Sequence, residues 1–276
     1  MDWSELIPTL VKTPITVYKN RKIIQHWWIK LLAQIDYGDT DIVILGRPSV
    51  GKTILSKCLH GQAPKFNYKT PDTSQSIETE ALNFGDWTKL VRVIPGQTDN
   101  KQRDIGLEEA FHKSESLEGI IYVVDWGYSE PRDLILKNSF ISDKGFDTIQ
   151  KFRDFNLKNE VEDIKNVCEQ IKVAYSNGKA PKWIIIAVNK VDLFYDRIND
   201  AQKYYSINFQ SQFTDEINKL INSVGALNIK CHTVPMCVWQ KDFEWNGQVQ
   251  KTNLGGKDIE FGLSLNFIES IAKLSK

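Results

Sequence analysis

The eight residues Gly46-Arg47-Pro48-Ser49-Val50-Gly51-Lys52-Thr53 match the spacing G-x-x-x-x-G-K-[ST], and that pattern has a definite chemistry. Glycines let a backbone turn tightly enough for successive N–H groups to face one anion. On this reading Gly46, Ser49, Val50 and Gly51 cradle phosphate oxygens. Lys52 reaches the β- and γ-phosphates, and the Thr53 hydroxyl holds Mg²⁺. The flanks agree. Asp41–Leu45 is a short apolar run that reads as a buried strand, and Ile54–Leu59 has helical character with a stop at Gly61. A helix starting at Gly51 adds its positive dipole end to the same site.

A second group, Asn189-Lys190-Val191-Asp192, directly follows the apolar run Trp183–Val188. A carboxylate such as Asp192 accepts both the N1–H and the exocyclic N2–H of guanine, whereas adenine presents no such donor pair. Asn189 would brace the loop and the base edge, and the Lys190 stem would lie along the base plane. Together the two motifs imply a guanine nucleotide, GTP or GDP, with Mg²⁺.

Elements that position these residues alternate along the chain. Ile77–Phe84 and Trp87–Ile94 read as a strand pair around Asn83-Phe84-Gly85-Asp86, after a loop over 62–76. Gly119–Asp125 is a buried strand, Asn159–Asn177 a helix stopped by Gly178, 207–224 a helix and Ile229–Met236 the last core strand. Phe243–Val249 carries an Asn-Gly hairpin signal, and Leu263–Leu274 closes the chain as a helix. Alternating strands and helices predict an α/β fold with a mostly parallel central sheet and helices on both faces. About 30 residues, 126–158, separate a strand from the next helix where 2–6 are usual, so they read as an insertion on the nucleotide edge.

Composition is that of an ordinary globular chain, with 41% hydrophobic and 25% charged residues. Thirty-five basic and 35 acidic residues cancel, so no overall field draws the protein to nucleic acid. Cys58, Cys168, Cys231 and Cys237 show no C-x-x-C spacing and read as free thiols in a reducing, cytoplasmic setting. With no signal peptide and no apolar run near 18 residues, any membrane contact is expected to be peripheral.

At this point the chain resembles the Ras-like small GTPases, and within them most closely the Arf-like branch of P-loop G domains. The segments GRPSVGKT, Pro95-Gly96-Gln97 and NKVD stand in the family's order, and Tyr122-Val123-Val124-Asp125 also looks Arf-like. The resemblance covers about 37–125, 157–193 and 229–237 with the closing helix. It implies that Gly96 senses the γ-phosphate through its backbone and that Gln97 orients the attacking water. It also implies a switch-loop Mg²⁺ ligand, for which Thr73 is chosen over Ser74 and Thr70. The family's D-x-x-G acid is replaced by Val93. The S-A-K motif is absent, and Met236 is taken as the source of the N–H for the guanine carbonyl, because Pro235 has none. Asp125 reads as a turn cap before a metal ligand. Arg47 and Arg103 read as solvated charge before a phosphate-contacting arginine.

Residues 1–36 lie outside that frame. Ile23, Ile24, Trp27, Trp28, Leu31, Leu32 and Ile35 recur at three- and four-residue steps opposite Lys19, Arg21, Lys22 and Lys30, the pattern of an amphipathic helix. The expected organisation is a helical extension over 1–36 and a G domain over 37–276 that includes a hairpin at about 240–254. Extension and insertion are the expected surfaces for a protein partner or self-association. The expected activity is a slow GTPase switch, with a guanine-nucleotide-binding scaffold of little turnover as the alternative.

Overall fold

In the computed structural model, residues 3, 40–59, 78–84, 87–96, 101–113, 117–255 and 257–274 are described. The loop choice Thr73, the glutamine Gln97 and the amphipathic pattern of the N-terminal extension fall outside them. The strands are β1 (Thr40–Leu45), β2 (Glu78–Phe84), β3 (Trp87–Val93), β4 (Leu117–Val124), β5 (Trp183–Val188) and β6 (Lys230–Pro235). They form one sheet in the order β2-β3-β1-β4-β5-β6. The β2–β3 pair is antiparallel and the others are parallel.

Alternation along the parallel strands sorts the core into two layers. Ile42, Ile44, Ile121, Val123, Ile185 and Ala187 point to one side and meet Ile54 and Leu55 of α1 (Lys52–Leu59). Val43, Leu45, Tyr122, Val124, Ile184 and Ile186 point to the other side. Every residue of β4 and β5 is buried, which is why these runs, Glu118 apart, are apolar and not alternating. Each fully buried Ile or Val contributes roughly 1.5–3 kcal/mol by leaving water, so these strands hold the loops at their carboxyl ends in fixed places.

The second side is covered by α2 (Lys101–Glu108), which continues as a π-helical turn at Glu109–Lys113, by α3 (Leu134–Ser142), and by α4 (Ile149–Ser176). Two further helices, α5 (Ile198–Tyr205) and α6 (Gln212–Val224), pack there as well. A two-stranded ribbon, β7 (Phe243–Trp245) and β8 (Gln248–Gln250), turns through Asn246 and Gly247, both at positive φ. The chain then enters α7 (Lys257–Leu274).

Three helix boundaries differ from the sequence reading. The helix expected from Asn159 starts ten residues earlier, where the Thr148 hydroxyl accepts from Lys151 N at 3.3 Å. Its front half buries Phe152 but otherwise Arg153, Asn156, Glu160 and Asp163, so the short-helix hint that Phe146, Ile149 and Phe152 give in the sequence does not run on into the helix from Asn159. The helix expected over 207–224 is split. Ser211 and Thr214 form a reciprocal capping box that starts α6 at Gln212, and α5 precedes it. The last helix begins at Lys257, six residues before the expected start.

Candidate functional site

One cavity of about 400 Å³ opens at the carboxyl ends of β1, β3, β4 and β5, the edge at which α/β folds bind ligands. Ser49, Gly51, Lys52, Thr53, Gly96, Asn189, Lys190 and Asp192 all line it. Backbone geometry explains the glycines. Gly46 and Gly51 stand at φ 136° and 102°, conformations that side chains disfavour. A Cβ on Gly46 would lie 2.2 Å from Val123 O, and one on Gly51 2.5 Å from Asn189 Nδ2. At Gly96 a Cβ would lie 2.4 Å from both Arg47 C and Pro48 N, so this residue is pressed against the phosphate-loop backbone. Val50 faces the core, and its carbonyl serves the loop.

Lys52 is buried, and Nζ donates to Gly46 O and Arg47 O, both at 2.8 Å. Burial, then the nearby charge of Arg103, pushes its ammonium down to about 7. An anion in the loop would reverse that penalty, which makes this lysine a phosphate partner in waiting.

The base end is a separate, closely bonded unit. Asn189 Nδ2 donates to Val50 O at 2.8 Å, and its Oδ1 accepts from Val238 N at 3.3 Å. This one side chain therefore ties the phosphate loop to the loop after β6. Lys190 is at φ 59° and donates from Nζ to Asp125 Oδ2 and Tyr128 O, both at 2.7 Å. Asp125 also accepts from Ser129 Oγ at 2.7 Å. Asp125 is fully buried and anchors Lys190 through Oδ2, and its Oδ1 has no hydrogen-bond partner among the described residues.

Asp192 is 1% exposed. Its Oδ1 accepts from the Cys237 thiol at 3.3 Å, and its Oδ2 has no hydrogen-bond partner among the described residues. Burial first of all lifts this carboxyl to about 6. A buried carboxylate oxygen left without a donor costs roughly 1–3 kcal/mol or more, and a ligand carrying two adjacent N–H groups removes that cost. The residues therefore fit guanine.

Met236 requires correction. Its N–H donates to Val188 O at 2.7 Å and its side chain lies in the core, so the amide is spent inside the sheet. Cys237 and Val238 stand at the site instead. Arg103 is also corrected: it is buried, donating from Nη1 to Gly96 O at 2.8 Å and pairing with Asp163. Arg47 is bonded to Asn156, from Nη1 to O at 3.0 Å. Val93 is buried, and no group of three or more His, Cys, Asp or Glu suited to a metal occurs among the described residues.

The profile of the family described as 50S ribosome-binding GTPase matches residues 41–190, more than half of the chain. The chain belongs to this GTPase family. GTPase Obg of Herpetosiphon aurantiacus is 28% identical over 155 residues, covering 55% of this chain and 29% of that protein. The tRNA modification GTPase MnmE of Chlamydia caviae is 32% identical over 107 residues, covering 34% of this chain and 23% of the other. The GTPase thus spans less than a third of the length of these curated relatives. Among solved structures, the ADP-ribosylation-factor-like GTP-binding protein of Encephalitozoon cuniculi, in complex with GDP, aligns with a TM-score of 0.40. It is 12% identical, over 92% of this chain and 86% of that one.

Proposed function

We propose that this GTPase binds GTP and GDP as a molecular switch and slowly hydrolyses GTP to GDP and phosphate. The observation that carries the reading is the buried Asp192, whose Oδ2 lacks a donor among the described residues, at one end of a cavity whose other end is a phosphate loop. Guanine N1–H and N2–H supply the missing donors, and Val238 N–H, spaced loosely from Asn189 Oδ1, serves the base carbonyl. Mg²⁺ would rest on the Thr53 hydroxyl, with Thr73 as the proposed second hydroxyl; its chemistry is to neutralise charge between the β- and γ-phosphates. Gln97 is proposed to orient the water. In the reaction the water oxygen bonds to the γ-phosphorus as the bond to the β–γ bridging oxygen breaks. Its electron pair stays on GDP, and the water protons end on phosphate and solvent.

Val93 favours a second reading, a nucleotide-binding module with little turnover, because no carboxylate stands at that position. Mg²⁺-dependent turnover of GTP against ATP, with Gln97→Leu as the comparison, separates the two. GTP-selective turnover abolished by Gln97→Leu supports the switch, and binding without turnover supports the module. We further propose a cytoplasmic protein with a protein partner.

A further inference from the structure

Residues 128–133 line one side of the cavity. The segment that carries them, from Trp126 to Asp133, is a wall that a plain strand-to-helix connection would not supply. It is held from behind by α4: Arg153 Nε donates to Trp126 O at 3.2 Å, and Glu160 Oε1 accepts from Gly127 N at 3.3 Å. The same helix also reaches the phosphate loop.

That loop is a strained piece of chain. Gly46, Ser49 and Gly51 all stand at positive φ, and Ser49, at 63°, does so with a side chain. Such a conformation persists when its surroundings fix it. Arg47 is where they do so. Its carbonyl accepts from Lys52 Nζ at 2.8 Å. Its carbonyl carbon lies so near Gly96 that a Cβ there would stand 2.4 Å away. Its guanidinium leaves the loop for α4, where Nη1 donates to Asn156 O at 3.0 Å and to Asn156 Oδ1 at 3.3 Å.

Asn156 is 2% exposed, and its amide works in both directions. Oδ1 accepts from the loop arginine, and Nδ2 donates to Gly127 O and Ser129 O of the wall, both at 2.9 Å. Two turns further along α4, Asp163 pairs with Arg103, whose Nη1 donates to Gly96 O at 2.8 Å. One helix therefore grips both sides of the contact between Gly96 and Arg47.

We propose that Asn156 is a positioning residue for nucleotide binding: through Arg47 it holds the phosphate loop in its ligand-ready shape and ties that loop to the wall. The assignment rests on the guanine-nucleotide reading above. Both Nδ2 hydrogens are committed to the wall, so Asn156 acts on the ligand through the loop. A loop already in its bound shape loses less binding free energy to ordering, and freeing Arg47 returns that loss. The base end is held separately, by Cys237 on Asp192, so the effect falls on the phosphate end alone.

The test is a double-mutant cycle on the full chain, with Asn156→Ala, Arg47→Met and the two combined. Affinities are measured for GDP and for inosine diphosphate, whose base lacks the N2–H donor, and urea unfolding is followed for every variant. Each single variant should weaken GDP about tenfold, the scale of one charge-assisted hydrogen bond. The double variant should be no more than about threefold weaker still, because its second substitution removes a bond already broken. The preference for GDP over inosine diphosphate, set by Asp192, should stay within about twofold of wild type throughout. Glu160→Gln, on the same helix and wall but bonded to Tyr205, should leave GDP affinity within about twofold. Where Asn156→Ala does not fold, Asn156→Ser, which keeps a hydroxyl donor for the wall, takes its place in the cycle. Losses that multiply in the double variant would overturn the assignment alone. So would unchanged GDP affinity in the Asn156 variant, or a preference for GDP that collapses with it. A wild-type chain that binds no guanine nucleotide would overturn this assignment and the functional reading together.

Discussion

At the base end of the cavity, recognition rests on one buried carboxylate. Asp192 is held by Cys237, and its other oxygen has no hydrogen-bond partner among the described residues. At the phosphate end the fixed groups are backbone N–H groups and cations, and Val93 stands where an acid is usual. The first kind of site discriminates strongly, because an unsuitable base leaves a buried charge unpaired. The second kind holds charge without specifying what carries it, since backbone amides and lysine serve any polyphosphate. The contrast teaches that selectivity and turnover are set at opposite ends of one cavity and can be altered separately.

The sharpest way to break this separation is Asp192→Ala. Guanine affinity should fall about 10²–10³-fold with the loss of two charge-assisted hydrogen bonds, while the weak affinity for ATP stays where it was. Titration with both nucleotides checks this, and a parallel loss for ATP would mean that Asp192 is structural. Gly51→Ala attacks the joint between the ends, because its methyl group meets Asn189 Nδ2 at 2.5 Å from a residue at φ 102°. Strain and displacement of Asn189 should cost about 2–3 kcal/mol of stability, measured by urea unfolding, together with loss of both nucleotides.

Val93→Asp sharpens the phosphate end. Val93 packs in the core layer and also lines the cavity. The carboxylate should cost about 2 kcal/mol of stability without ligand and raise the Mg²⁺ affinity of the GTP complex, both readable by calorimetry. No gain in Mg²⁺ affinity would show that the metal does not approach this strand end.

The pH dependence of the base end has a definite sign. The Asp192 carboxyl is raised to about 6 in the empty protein, and guanine binds the ionised form. Guanine affinity should be constant above about pH 7 and fall by up to about tenfold per unit as pH drops below 6. Asp192→Asn should remove that dependence. The smallest effect concerns the wall. Glu160 is buried, accepts from Gly127 N at 3.3 Å and from the Tyr205 hydroxyl, and burial lifts its carboxyl to about 8. Its folded-state value lies above its ordinary one, so its contribution is complete below about pH 4.5 and is lost as pH rises through 8. Glu160→Gln should flatten that part of the stability–pH curve, read as Tm from pH 5 to 9.

The motif residues were legible in the sequence because each combines an unusual residue type with a fixed spacing beside an apolar strand. Lys52, Asn189 and Asp192 could be named on chemistry alone. The mostly parallel character of the sheet followed from alternation of buried runs and helices; the strand order was not read from the sequence. The register at Met236 was not legible, since the group in question is a backbone amide and all residues but proline carry one. The signal that would have found the right place is Cys237, a thiol donor just past a strand end, within reach of a carboxylate. The long wall helix was hidden for a different reason. Arg153, Asn156, Glu160 and Asp163 face inward, and periodicity rules count only apolar residues. Those polar groups are buried because each has a partner in the wall or the sheet, and such partnerships are visible only in three dimensions.

The most direct test of the central claim is the affinity of the full chain for GDP against ADP, with the bound nucleotide of the purified protein identified in parallel by chromatography. The account predicts guanine nucleotide in the purified protein and a preference for GDP of at least about 10²-fold, the discrimination expected when a wrong base leaves buried Asp192 unpaired. Equal affinities, or adenine nucleotide in the purified protein, would contradict it.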